Sequence, residues 1–223
     1  MRVYRTTLKN KLRNGIALSI IPQIAIVIWL SSRPDLIEKY YSNGIYPIVS
    51  AFFRTLFGWI PFSVGEIIYT LLIALGLRYL IIRRKKIKAN KLAFLRDVVM
   101  VLSIFYFTFN LVWGLNYYRE PLSNRLGIQN EATYEDIKKL TSDLIQKTNQ
   151  IQVQITGDST LIVQIPYTRN EVFEKTIRNY EALAQQLPFL DYHRPSIKNS
   201  IYSLPSSYMV IGGYLNPFTY EAQ

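Results

Sequence analysis

Apolar positions along the chain gather into three long runs, Ile16 to Leu30, Val64 to Ile82 and Val98 to Leu115, each of 15 to 19 residues. A helix needs about 20 such residues to cross a hydrocarbon layer about 30 Å thick. With their flanking residues, the runs predict transmembrane helices over 14–32, 64–82 and 98–115. No Lys or Arg falls inside the first or third run, and the second holds only Arg78, near one end. Between the first two, Ile45, Val49, Phe52, Phe53, Leu56, Phe57 and Trp59 recur at helical spacing. This predicts a short amphipathic helix over 45–60. It either lies in the interface with Trp59, Phe57 and Phe53 at headgroup depth, or packs those rings on the spans or the following domain.

After Asn116 the runs shorten and turn residues appear between them. Thr133-Tyr134-Glu135-Asp136 has the pattern of a capping box and opens a helix to about Gln150. Tyr134, Ile137, Leu140, Leu144 and Ile145 mark its expected buried face. Leu161 to Ile165, between Gly157-Asp158 and Pro166, is expected to be a strand or extended loop. Thr168 with Glu171 caps a further helix to about Gln186, with Val172, Phe173, Ile177, Tyr180 and Leu183 inward, and Pro188 ends it. Ser200 to Leu204 and Ser206 to Ile211 read as extended segments separated by Pro205 and closed by Gly212-Gly213. The expected fold class is therefore a mainly α membrane protein with three transmembrane helices plus a small, incomplete α+β extracytoplasmic domain. The anchor would cover residues 1–115 and the second domain residues 116–223.

Charge orients this arrangement. The 223 residues hold 26 Lys and Arg against 15 Asp and Glu, a net +11. Residues 1–15 contribute five cations and no acid; Arg78 to Asp97 contribute eight cations and one acid. The remaining stretches nearly cancel. Short cytoplasmic loops are enriched in Lys and Arg, which puts the N-terminus and the 83–97 loop in the cytoplasm and residues 116–223 outside the cytoplasmic (inner) membrane. The charge sits only beside the spans, so the lipid bilayer is the expected partner and nucleic acid is not. Pro22 and Gln23 in the middle of the first run, and no small-x-small site after it, favour a retained span over a cleaved signal peptide. The chain has no cysteine, which removes disulfides and thiolate ligands.

Chemistry-bearing residues are sparse. His193 is the sole histidine, in Asp191-Tyr192-His193-Arg194-Pro195, and reads as a loop residue. A tetrahedral zinc site would have to be built from carboxylates, an uncommon donor set. Gln23, Glu66 and Asn110 fall within the spans, where polar groups either mark a pathway or bond across helix interfaces. The structural reading fits better: Gln23 and Asn110 are expected to bond across helix interfaces, Glu66, near the outer end of its span, to lie within reach of water, and nothing resembles a proton relay.

Three stretches give the chain a family likeness. Pro61-Phe62-Ser63-Val64-Gly65-Glu66, then Asn110-Leu111-Val112-Trp113-Gly114-Leu115-Asn116-Tyr117-Tyr118-Arg119 with Pro121-Leu122, resemble a bacterial integral-membrane family catalogued as domain-of-unknown-function family 3810. Gly213 to Gln223 resembles that family's most distinctive stretch, through Asn216, Pro217, Phe218, Thr219 and Glu221. Tyr220 departs from it, standing where a Gly is usual.

In the family, that last stretch is followed by an H-E-x-x-H helix, the arrangement of a zinc peptidase with Glu as general base. The resemblance thus implies a membrane-anchored metallopeptidase-like protein acting on peptide or protein outside the cytoplasm. These 223 residues contain no H-E-x-x-H, so no catalytic, cofactor or metal residue carries over, and zinc is expected only if the chain continues. Truncation is the expected reason for that absence. A natural short form acting as a membrane scaffold or binding module, and a family whose role is structural, are the alternatives. Ser200, Tyr202, Ser206, Tyr208, Val210, Gly212 and Tyr214 are the candidate edge strand for pairing with substrate backbone, or else core sheet. Glu221 is expected to be a structural carboxylate rather than a neighbour of metal.

Overall fold

A computed structural model describes residues 2–127, 131–191 and 194–223. The described chain is helical: α1 Arg2–Leu18, α2 Ile20–Ser31, α3 Pro34–Leu36 and, after a π-helical turn Ile37–Ile45, α4 Tyr46–Phe57. Two long helices follow, α5 Val64–Ala89 and α6 Lys91–Val112, then a 3-10 turn Gly114–Tyr118. The rest comprises α7 Leu122–Leu126, α8 Tyr134–Thr156, α9 Arg169–Gln186 and α10 Ser203–Tyr208. Two compact units emerge. One holds the chain up to Glu120 together with Arg194–Gln223, and the other runs from Pro121 to Asp191.

Three helices are long and apolar enough to cross a membrane: Leu8–Ser31, Val64–Ala89 and Lys91–Val112, with mean hydropathies of 1.7, 1.7 and 1.8. Only 6–11% of their apolar windows is covered by protein, so their side chains face outward and need lipid as solvent. The second and third helices are longer than the apolar runs, because Arg83–Lys88 continues α5 beyond its last apolar turn and Lys91–Asp97 precedes that of α6. Asn90 alone joins them, and its side chain accepts from the Ala93 amide to cap α6.

α1 and α2 run through Ser19 as one near-continuous rod, since the Ser19 amide reaches the Gly15 carbonyl and the Gln23 amide the Ser19 carbonyl. This rod lies parallel to α6 in constant register: Arg13 pairs with Asp97 and Ser19 with Ser103, both at a separation of 84 residues. Gln23 Nε2 donates to Ser103 Oγ at 3.0 Å and Ser19 Oγ lies 3.1 Å from it. Ser103 is fully buried, a small polar residue that admits close approach and bonds across the interface. Asn110 donates to the Tyr106 carbonyl within its own helix.

α4 and the residues just after it split their apolar side chains between two directions. Ile48, Phe52, Leu56 and Trp59 are exposed, whereas Phe53 stacks on Phe57 and on Tyr220. Of the three rings expected at headgroup depth, Trp59 faces outward and Phe53 and Phe57 belong to the aromatic packing.

The Pro121–Asp191 unit is built by the two predicted capping boxes, Thr133 with Asp136 and Thr168 with Glu171, each bonded reciprocally. Gly157 ends α8 in the left-handed region at φ 74°. The expected buried face of α8 is not buried: Tyr134, Ile137, Leu140, Leu144 and Ile145 are all more than half exposed. Leu161–Ile165 is irregular rather than a strand, because Gln152 Nε2 bonds the Asp158 carbonyl and Asp158 caps Thr160, curling the chain back.

The α+β expectation is corrected more generally. Among the described residues there is no strand, only the isolated bridges Phe62–Asn199, Ile197–Ala222 and Leu215–Ala222. Within the two units, Arg194–Gln223 groups with the residues up to Glu120.

The α1–α6 contact is testable. Ser103→Ala removes two bonds of the kind worth about 0.6 kcal/mol each in membrane interiors, whereas Ser103→Leu forces bulk into a closed interface at a cost of about 1–3 kcal/mol. Thermal unfolding of the detergent-solubilised chain should rank wild type above Ser103→Ala above Ser103→Leu.

Candidate functional site

α5 begins at Val64 with four backbone amides that the helix itself cannot satisfy. Ser63 takes one: its buried Oγ accepts from the Glu66 amide at 3.2 Å. Two more point at Glu221, from the far end of the chain. The Val64 amide donates to Oε1 at 3.2 Å and the Gly65 amide to Oε2 at 2.9 Å. An anion is favoured there by the partial positive charge of a helix N-terminus. Thr219 Oγ1 donates to Oε2 at 2.7 Å and Lys198 Nζ to Oε1 at 2.6 Å, while Lys198 also reaches the Phe57 carbonyl. Both side chains of the ion pair are essentially closed to solvent, at 3% and 0% exposure. Burial alone would push the Glu221 carboxyl up, but the Lys198 ammonium, the Gly65 amide, the Thr219 hydroxyl and the Val64 amide together hold it below the usual carboxylate range.

Close approach is possible because residue 65 has no side chain. A Cβ there would lie 2.1 Å from Asn216 Nδ2 and 2.7 Å from Thr219 Oγ1. Asn216 builds the turn that delivers Glu221. Its Oδ1 accepts from the Phe218 and Thr219 amides and from Tyr69 Oη, and its backbone bonds Glu221 and Tyr220. Phe218 then wedges between the spans, 5.4 Å from Phe105, 6.2 Å from Phe109 and 6.2 Å from Tyr69, ring centre to ring centre.

Tyr220 follows in the left-handed region, at φ 57°. That conformation suits Gly and costs a bulky residue about 1–2 kcal/mol, so Tyr at this position carries a backbone cost. The ring offsets this: it is 2% exposed, packs on Phe53 and Tyr46, and its hydroxyl donates to the Val112 carbonyl.

One residue beyond Gly65, the fully buried Glu66 holds a second polar knot. Oε1 accepts from Ser200 Oγ at 2.5 Å and from the Tyr214 hydroxyl, and Oε2 accepts from the Ile201 amide at 2.6 Å. Burial and the adjacent carboxylate raise the Tyr214 phenol, so it stays protonated as a donor. Tyr202 Oη meets Thr70 Oγ1. Every oxygen of Glu66 and Glu221 is thus engaged by a donor, an arrangement that suits anchoring.

The expected edge strand is corrected here. Ser203–Tyr208 is a helix, since Pro205 sits in its first turn, where proline is tolerated. Ser200, Tyr202 and Tyr214 turn toward α5. Ser206 lies on the short helix, and Tyr208, Val210 and Gly212 are exposed. His193 lies outside the described residues. Glu221 pairs with Lys198 at the head of α5, and Lys198 had no sequence signal.

The 110–119 stretch forms the neighbouring wall. Arg119 holds Glu38 with two bonds, 3.0 and 2.8 Å, Ser42 bonds Asn116, and Tyr41 bonds the Leu111 carbonyl. Through Tyr220 and Val112 this wall joins the Glu221 knot, so all three stretches that suggested a family meet at one end of the spans. The model of the family described as "Protein of unknown function (DUF3810)" matches residues 41–223. The chain belongs to this family. No curated protein and no solved structure matches it.

Two outcomes follow for this DUF3810 knot. Removing one partner of a buried pair strands the other, so Lys198→Met should cost about 3–5 kcal/mol, and Lys198→Met with Glu221→Gln should recover part of that loss in thermal unfolding. Because the folded chain holds the Glu221 carboxyl low, its contribution is complete above the unfolded value of about 4.3 and disappears as pH falls through the lower folded value. Unfolding temperature followed from about pH 7 to about pH 3 should drop more steeply for wild type than for Glu221→Gln.

Proposed function

We propose that this chain is the non-catalytic membrane platform of a metallopeptidase-like protein of the inner membrane, with its N-terminus in the cytoplasm and residues 116–223 outside. The observation that carries the reading is the saturation of Glu66 and Glu221 by hydrogen-bond donors at the head of α5. Such carboxylates fix a segment in place and are poor candidates for a base or a metal ligand.

Zinc does not fit the residues at hand. The chain has one histidine and no cysteine, and among the described residues no three His, Cys, Asp or Glu gather as a ligand group. In this proposal any peptide hydrolysis depends on an H-E-x-x-H helix outside the 223 residues, and the role of this chain is to anchor and orient. A membrane scaffold that binds a protein partner is the second reading, and the same saturated carboxylates favour it equally.

Two measurements test the proposal. The purified 223-residue chain should hold substoichiometric zinc by elemental analysis, and stoichiometric zinc would overturn the non-catalytic assignment. The absence of cysteine makes single-cysteine topology mapping direct. Ser159→Cys should react with a membrane-impermeant maleimide in intact cells and Lys88→Cys only after permeabilisation; the reverse pattern would invert the proposed orientation.

A further inference from the structure

The end of the spans remote from the Glu221 knot has a different character. α1 and α6 run parallel, and α5 and α6 meet at Asn90, so the first turns of α1, the last turns of α5 and the first turns of α6 share one level. Lys9, Lys11, the run Arg83–Lys86, Lys88 and Lys91 are all exposed there. No Asp or Glu occurs in residues 1–34, and Asp97 is the single acid between residues 67 and 119. Asp97 is already held by two guanidinium groups, Arg96 at 2.7 Å and Arg13 at 3.3 Å.

Depth decides the kind of partner. Leu12, Ile82, Leu92 and Leu95 are interleaved with these cations and are 58–81% exposed. They extend the lipid-facing apolar surface of the same helices, so the cations sit where hydrocarbon gives way to headgroups, their stems able to reach along apolar surface. A soluble nucleic acid or acidic protein would have to meet this belt through the headgroup layer, whereas lipid phosphates already lie at its level. We propose that this end of the bundle is a binding surface for the phosphate groups of anionic phospholipids in its own leaflet. Positive loops that merely orient a membrane protein need only an excess of charge. Here the cations of three helices converge on one level with one neutralised acid among them, which concentrates potential on the adjoining lipids.

The test uses the full chain, purified in neutral detergent and equilibrated with equal phosphatidylglycerol and phosphatidylcholine, with retained lipid counted by native mass spectrometry. Phosphatidylglycerol should be enriched about tenfold, given the contribution of each cation near an anionic surface. The enrichment should shrink as sodium chloride rises from about 0.1 to about 0.5 M. Replacing Arg83, Arg84, Lys85 and Lys86 with Gln should remove most of it, whereas Lys138→Gln with Lys139→Gln and Lys147→Gln should not. Equal retention of the two lipids by the wild-type chain overturns the proposal without reference to any variant. Undiminished enrichment in the fourfold variant overturns it as well. A wild-type chain that holds an acidic peptide or oligonucleotide but shows no phosphatidylglycerol preference reassigns the surface to a soluble polyanion.

Discussion

The arrangement at the head of α5 depends on how a membrane-spanning helix satisfies its first amides when protein covers that end. Gly65 is buried and Val64 partly so, and their donors are met by the chain itself. Glu221 supplies both acceptors with one carboxylate, and its charge is answered by Lys198 rather than by solvent. Each member of the group needs the others. Without Lys198 the carboxylate is a buried charge, without Glu221 the amides and the ammonium are orphaned, and without Gly65 the turn cannot approach. This mutual need ties Glu221 and Lys198 to the head of α5, although no strand or disulfide joins them.

Two backbone positions show how far the packing is specified. Gly65 gives up a side chain so that Asn216 and Thr219 can enter. Tyr220 does the reverse, accepting a left-handed backbone to place its ring among Phe53 and Tyr46 and its hydroxyl on the Val112 carbonyl. A Gly at 220 would relax the backbone and lose that bridge, so strain and burial are traded within one turn. Ring burial is worth about 1.5–3 kcal/mol, enough to offset the left-handed cost of about 1–2 kcal/mol.

How much of this was legible follows from the range of each interaction. The spans, both capping boxes and the stop at Pro188 depend on residues within a few positions of one another, and each could be read directly, whereas α8 runs past the expected Gln150 to Gly157. Ser63-Val64-Gly65-Glu66 was visible as a family stretch and also has the spacing of a cap, but nothing local says that Glu221 completes it. Lys198 sits in an unremarkable polar stretch; its role exists only through a partner 23 residues away and a carbonyl 141 away. The strand readings failed for a related reason. Ser200–Ile211 is rich in residues common in strands, yet the Glu66 carboxylate pulls Ser200 and the Ile201 amide to α5 and leaves the next residues free to coil into α10. The predicted burial of the α8 stripe assumed a covering element that the described residues do not place on it.

α5 carries complementary charge at its two ends, a carboxylate at the amides of its N-terminus and a run of cations at the carbonyls of its C-terminus, and both agree with the helix dipole. The physics at the two ends nevertheless differs. At the head the charges are paired inside protein at under 3 Å, where screening ions do not enter. At the tail they are solvated and face mobile counter-ions, over a Debye length of about 8 Å at physiological salt. Ionic strength and lipid composition therefore act on the basic end and leave the Glu221 knot unchanged, whereas acid acts on the knot and leaves the permanently charged guanidinium groups unchanged. One helix thus joins a basic end exposed to its membrane to a packed end that holds Glu221 and Lys198 in place.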